Sequence, residues 1–203
     1  MLNAKPFGSL LDGRFVFFQE FLKHPLQIGS VIPSSRFLEQ RILEAAGIAT
    51  VKTVVELGSG TGGTTRAILR AMPQHARLLT IEINPHFHSV VNRIQDDRLI
   101  AHLGNACSLK EIISSYGLDA PDALISGIPF STMKQSEASE VIEAISSLLA
   151  SNGRFVAYQV SSRVDSLCRP FLGSGRMSVE LLNIPPMRVY QWNKNGTPTL
   201  KKM

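Results

Sequence analysis

The stretch from Val54 to Gly63, VVELGSGTGG, constrains this chain more than any other. Thr53 to Glu56 are β-branched or extended-compatible residues that read as a buried strand running straight into a glycine turn. Gly58, Gly60 and Gly62 remove Cβ atoms where the backbone must turn sharply, so a ligand can lie against bare N–H groups. Thr61 and Thr64 stand where they can cap the helix that follows. Glycines here cost about 0.5–1 kcal/mol each in chain entropy, which a turn that merely joined a strand to a helix would not require. The expectation is a loop that holds a nucleotide-like cofactor, with Ser59 inside it.

Gly58, Gly60 and Gly63 also satisfy the G-x-G-x-x-G spacing of dinucleotide-binding proteins. Two features argue against a nicotinamide cofactor: Glu56 sits two positions before the first glycine, and over fifty residues precede the motif. The form E-L-G-S-G-T-G resembles instead the cofactor loop of class I S-adenosylmethionine-dependent methyltransferases, in which the loop holds the methionine part. The resemblance implies S-adenosylmethionine as cofactor and S-adenosylhomocysteine as product, with Glu56, Gly58, Ser59, Gly60, Thr61 and Gly62 among the binding residues.

At 203 residues, 44% hydrophobic and 18% charged, the chain has the composition of a globular protein with one substantial core. Cys107 and Cys168 are far apart and outside any ligand spacing, so neither a disulfide framework nor a metal site is expected, and the compartment expected is the reducing cytoplasm. No signal peptide is visible and no apolar run approaches the ~20 residues of a spanning helix, so membrane contact would be peripheral. The net charge of +5 is concentrated after Gln159, where Arg163, Arg169, Arg176, Arg188, Lys194, Lys201 and Lys202 face only Asp165 and Glu180. Such an excess suits a polyanion, either nucleic acid or an anionic membrane surface, and equally a solvated face without a partner.

A first helix is expected from Arg14 to Lys23, with four phenylalanines (Phe15, Phe17, Phe18, Phe21) that suit either an interfacial helix or one packed over the cofactor site. In the segment GSVIPSS, Gly29 and Pro33 break regularity. Ser34 or Ser35 caps a helix from Arg36 to Ala46, which Gly47 stops, and Gly29, Ser30, Pro33 and Ser34 lie where a cofactor carboxylate can be held. Residues 1–47 thus read as an N-terminal helical extension over the cofactor site and 48–203 as the cofactor-binding domain. Strands are expected at 53–57, 78–83, 99–103, 123–126, 154–159, 177–182 and 188–192, with helices at 64–72, 87–94, 108–116, 136–149 and 164–171. This alternation gives an α/β fold: a seven-stranded, mostly parallel, Rossmann-like sheet with helices on both faces. The last two strands leave no room for a helix between them, so the final strand is antiparallel.

A carboxylate at the end of the second strand, Glu82, can take both ribose hydroxyls of an adenosyl group, with Ile83 beside it, and lies 26 residues after Glu56 as one βαβ step requires. At the end of the third strand Asn105 can accept from an adenine amine and Ala106 can offer its N–H to the ring. His86 and His88 have no further ligands that would make a metal site. The fourth strand ends in SGIPF, where an acceptor would meet the methyl group. The carbonyls of Ser126, Gly127 and Ile128 can orient an amine, and Phe130, after Pro129, can stabilise a cationic product by cation–π contact.

With these residues in view, the chain resembles the bacterial phospholipid N-methyltransferases, a family similar to the ribosomal RNA adenine dimethylases. The aromatic first helix, the GSVIPSS segment, ELGSGTG, SGIPF and the stretch NIPPMRVY from Asn183 to Tyr190 carry the resemblance. It implies stepwise methylation of the amine of phosphatidylethanolamine toward phosphatidylcholine, by a peripheral enzyme on an anionic cytoplasmic membrane surface, without a metal and as a monomer. The adenine dimethylases share an Asn-x-Pro-aromatic turn; Gly127 occupies the Asn position here, so nucleic acid is not the expected substrate. The lipid family implies a Tyr late in the fifth strand, where this chain has Gln159 and Val160, with Tyr158 displaced toward the start. A soluble amine acceptor, with the first helix as a lid, is the remaining alternative.

Overall fold

The computed structural model describes residues 35–183 and 186–194. The expected helix from Arg14 to Lys23 and the positions Gly29, Ser30, Pro33 and Ser34 lie outside the described residues. Among the described residues, seven strands form one sheet: β1 (Thr53–Leu57), β2 (Arg77–Glu82), β3 (Leu99–Leu103), β4 (Ala123–Ser126), β5 (Arg154–Gln159), β6 (Arg176–Glu180) and β7 (Met187–Asn193). The order across the sheet is β3-β2-β1-β4-β5-β7-β6. Among the described residues α1 (Arg36–Ala46) precedes the sheet, and five α-helices connect its strands: α2 (Gly63–Ala71), α3 (Pro85–Val91), α4 (Leu109–Ser115), α5 (Gln135–Leu148) and α6 (Arg163–Leu172). Strands β1 to β5 pair in parallel, and β7 runs antiparallel to both β5 and β6. This is the expected doubly covered sheet with its last strand reversed.

Local chemistry sets the boundaries. The Ser35 hydroxyl accepts from Leu38 N at 3.2 Å and starts α1, and Gly47 ends it at φ 65°, a left-handed cap that a side chain would resist. β6 stops at Glu180 rather than at 182 because Glu180 Oε1 accepts from Leu182 N at 2.9 Å and turns the chain. On the same turn Ser35 N donates to Asn183 Oδ1 and Arg41 Nε to Glu180 Oε2, tying the start of α1 to the β6–β7 connection.

Successive strand residues face opposite sides of the sheet, and the two sides here differ in character. Val55, Leu57, Leu79, Ile81, Leu124, Phe155, Ala157, Tyr190 and Trp192 face the larger apolar core, which α4, α5 and α6 cover. Phe155, Trp192 and Tyr190 stack there with centroids 5.3 and 5.7 Å apart. Val54, Leu78, Ile125 and Val156 face the other side, toward α1, α2 and α3. Glu56, Glu82 and Tyr158 share that second side by the same alternation. The polar groups of the site therefore come from the face with the smaller core.

Candidate active site

The glycine loop is held to β2 by hydrogen bonds that its own backbone donates. Gly58 N donates to the Ile81 carbonyl at 2.9 Å, and Gly60 N to Glu82 Oε2 at 2.9 Å. The other oxygen of Glu82 accepts from Asn84 N, also at 2.9 Å, so this buried carboxylate braces the loop and the chain leaving β2 together. Each of its oxygens keeps a second lone pair for a ligand. At Gly60 the requirement is conformational: φ is 52°, while a Cβ would find nothing within 4 Å.

Glu56 lies beneath the loop and is fully buried. Thr65 Oγ1 donates to its Oε2 at 2.6 Å, and its Oε1 has no partner. Burial pushes the Glu56 carboxyl up to about 7, the Thr65 bond opposes the rise, and the Glu82 charge adds to it. Ser59 Oγ is likewise buried without a partner. The expected threonine cap is corrected: α2 starts after Gly62, left-handed at φ 79°, with no side-chain cap. The left-handed turn places the following threonines within the first helical turn, where Thr65 faces Glu56 and Thr64 Oγ1 donates to Tyr158 Oη at 3.5 Å. Thr61, partly exposed, gives its carbonyl to Arg66 Nη1.

On the adenosyl side, Ile83 is 66% exposed beyond the end of β2 and Leu103 46% exposed at the end of β3. The register of Leu103 opposite Glu82 puts it at the same edge. Ala106 is buried in a short 3₁₀ turn (Ala106–Ser108). Asn105 is exposed beside it, but its Oδ1 already accepts from Cys107 N at 3.0 Å. Its side chain thus caps that turn, and its amide N–H₂ is left without a partner in the turn.

The acceptor side differs more from expectation. Ser126 is fully buried, and its Oγ accepts from Ile128 N at 3.3 Å. The Ile128 carbonyl accepts both Phe130 N at 3.0 Å and Gln159 Nε2 at 2.8 Å, so it is not free to orient an amine. The Phe130 ring has no exposed surface and belongs to the main core. The cation–π role expected of it is corrected: the proline turn carries the ring inward, between β4 and α5. Pro129 and Gly127 are partly exposed at the edge, and the Tyr158 hydroxyl comes down upon Gly127. Tyr158 and Gln159, which sequence reasoning set aside, are the β5 residues that reach this turn. Among the described residues no three His, Cys, Asp or Glu side chains are grouped to hold a metal ion.

Two orphaned polar atoms at the glycine loop, one on Glu56 and one on Ser59, and a carboxylate at the end of β2 fit S-adenosylmethionine, whose methionine end is zwitterionic and whose ribose offers two hydroxyls. Comparison with known proteins agrees. No family model matches the chain. An ornithine lipid N-methyltransferase of Singulisphaera acidiphila is 26% identical over 179 residues, 87% of this chain and 93% of that protein. Among solved structures, a precorrin-6y C5,15-methyltransferase of Geobacter metallireducens shares the fold, with a TM-score of 0.63 at 16% identity over 82% of this chain and 92% of that one. The chain is a class I S-adenosylmethionine-dependent methyltransferase. A ribosomal RNA small subunit methyltransferase A of Syntrophotalea carbinolica is 33% identical to the enzyme, but only over 104 residues, 49% of this chain and 38% of that protein.

Proposed function

We propose that the enzyme transfers methyl groups to the amino headgroup of a phospholipid, phosphatidylethanolamine toward phosphatidylcholine, at a cytoplasmic membrane surface. The observation that carries this reading is the similarity to a lipid N-methyltransferase along 93% of that protein's length, against 38% for the RNA enzyme. That same relative gives specific support to a second acceptor, the amine of an ornithine lipid.

When bound, the cofactor would supply an electrophilic methyl carbon, which the neutral acceptor nitrogen would attack in line as the carbon–sulfur bond breaks and S-adenosylhomocysteine leaves as the thioether. In this reading Glu56 and the loop from Gly58 to Gly62 hold its methionine end, Glu82 the ribose, and Ile83, Asn105 and Ala106 the adenine. The chain itself orients the two reactants and excludes water, which is the main demand of a displacement on a sulfonium. The surface of the site also suits a membrane. β5 and β6 both run antiparallel to β7, so the end of β6 reaches the edge where β1 and β4 end. Leu181 and Leu182 follow it there, 72% and 63% exposed. Phe37 is 40% exposed at the tethered start of α1, with the Arg36 guanidinium 5.0 Å from its ring centroid. Apolar side chains beside a cation suit the boundary between headgroup and acyl chain. No helix among the described residues is long and apolar enough to cross a membrane.

The test is transfer of labelled methyl groups to liposomes of phosphatidylethanolamine, to liposomes containing ornithine lipid, and to undermethylated ribosomal RNA. Label in phosphatidylethanolamine is expected. Label in ornithine lipid alone moves the assignment to the second acceptor, and label in RNA alone overturns both.

A further inference from the structure

The reason for a glycine at position 127 lies across the sheet edge. A Cβ placed on Gly127 would stand 2.4 Å from Tyr158 Oη, 2.8 Å from Tyr158 Cζ and 3.1 Å from the Gly58 carbonyl oxygen. The first two distances are far inside van der Waals contact, so a side chain at 127 and the phenol of Tyr158 compete for one volume. In this chain β5 fills it. The ring has little room to withdraw, because β5 lies between β4 and β7 and the flanking Ala157 and Gln159 are buried.

The hydroxyl that fills this volume is scarcely used by the protein. Thr64 donates to it at 3.5 Å, the outer limit of a hydrogen bond, which leaves a lone pair and the phenol proton available. Burial, with the Glu56 carboxyl beside it, pushes the Tyr158 phenol far above its ordinary range, so it stays un-ionised. It accepts an N–H without removing the proton. Thr64 is in the first turn of α2, Gly58 is in the cofactor loop and Gly127 is in the turn after β4, so the hydroxyl stands where the cofactor side meets the acceptor side.

The geometry points to Tyr158 as the specificity-determining residue of the acceptor site: its hydroxyl, reaching over the space Gly127 leaves open, receives an N–H of the acceptor amine and turns the nitrogen lone pair toward the methyl group. This rests on the N-methyl transfer reading above. It selects for acceptors with an N–H to give, primary and secondary amines in their neutral form. A neutral tertiary amine has none, so its methylation gains nothing from the hydroxyl.

The experiment compares wild type with Tyr158→Phe on liposomes of phosphatidylethanolamine and of its mono- and dimethyl forms, together with S-adenosylmethionine affinity and thermal midpoint. The expected result is a loss of about tenfold in kcat/KM on the primary and secondary amines, from one lost hydrogen bond to the reacting group. Transfer to the dimethyl form, where wild type performs it, stays unchanged, as do cofactor affinity and midpoint. Wild-type rates from Tyr158→Phe on the primary amine overturn the proposal, as does an equal loss on all three amines or a parallel loss of cofactor affinity, since those mark a structural role. Gly127→Ala tests the shared volume: it lowers the midpoint by about 5 °C and lowers transfer with it. A Gly127→Ala protein as stable and active as wild type also overturns it. If wild type with bound cofactor methylates no lipid amine, the functional reading itself fails, which the wild-type lane reports by itself.

Discussion

On the β1–β2 side of the carboxyl edge, backbone N–H groups of a glycine loop close upon a carboxylate, and polar atoms without partners remain beneath it. On the β4–β5 side, Ser126 and the Ile128 carbonyl are satisfied within the turn and by Gln159, Phe130 is withdrawn into the core, and a weakly bonded phenol remains at the surface of the turn. The first half presents groups that the fold has already fixed in place. The second gives little of its own polarity to the acceptor. This division suits a reaction in which the cofactor carries the reactivity and the protein sets geometry.

The largest effect should come from Glu82→Ala. It removes the acceptor of both the Gly60 and Asn84 N–H groups, and with charge-assisted hydrogen bonds at about 1.5–3 kcal/mol each, cofactor affinity should fall about 100-fold or more by calorimetry. Retained affinity would mean that the loop is held without Glu82 and that the first half is not preorganised as described. Glu56→Gln sharpens the same half through pH. The folded carboxyl titrates near 7 against an ordinary value of 4.5, so stability from this group is full below about 4.5 and is lost as pH rises through about 7. The substitution should therefore raise cofactor-free stability by about 2–3 kcal/mol at pH 8, have little effect at pH 4.5, and flatten chemical denaturation midpoints between them. A wild-type stability that does not fall across that interval would show that Glu56 is not charged against burial. The smallest effect should come from Gln159→Leu, which removes one bond to the Ile128 carbonyl. Methyl transfer should fall about fivefold while cofactor affinity stays within about twofold, a single neutral hydrogen bond being about 1 kcal/mol. Equal losses in both would join the two halves into one unit.

The arrangement of the first half was legible in the sequence because its parts are close in the chain and their spacing is set by one βαβ step. The strand, the three glycines and the acid at the end of the next strand, with Gly60 and Glu82 only 22 residues apart, announce their own arrangement. The seven strands and their final reversal followed from periodicity and from the short connection after β6. The acceptor half was not legible in the same way. Its contacts join Ile128 to Gln159 across 31 residues and Thr64 to Tyr158 across 94, and no local pattern specifies which strand face meets which turn. Phe130 was misjudged because a proline–aromatic turn has the same sequence whether its ring points outward or inward. Thr61 and Thr64 were misjudged as caps because a left-handed glycine starts α2 as well as a hydroxyl would, which leaves the Thr64 hydroxyl to meet Tyr158.

The position of β7 between β5 and β6 also determines when this enzyme can finish folding. β5 and β6 have no direct pairing; β6 joins the sheet only through residues 187–193, which also bring Tyr190 and Trp192 to the stack on Phe155. A ribosome that has released everything through Glu180 has exposed the whole cofactor loop and the acceptor turn, but the strand that fills the gap and seals the larger core is still unmade. The enzyme is thus completed after the synthesis of its sheet's last strand rather than during it, and until then its β5 edge is open to any other strand that can pair with it.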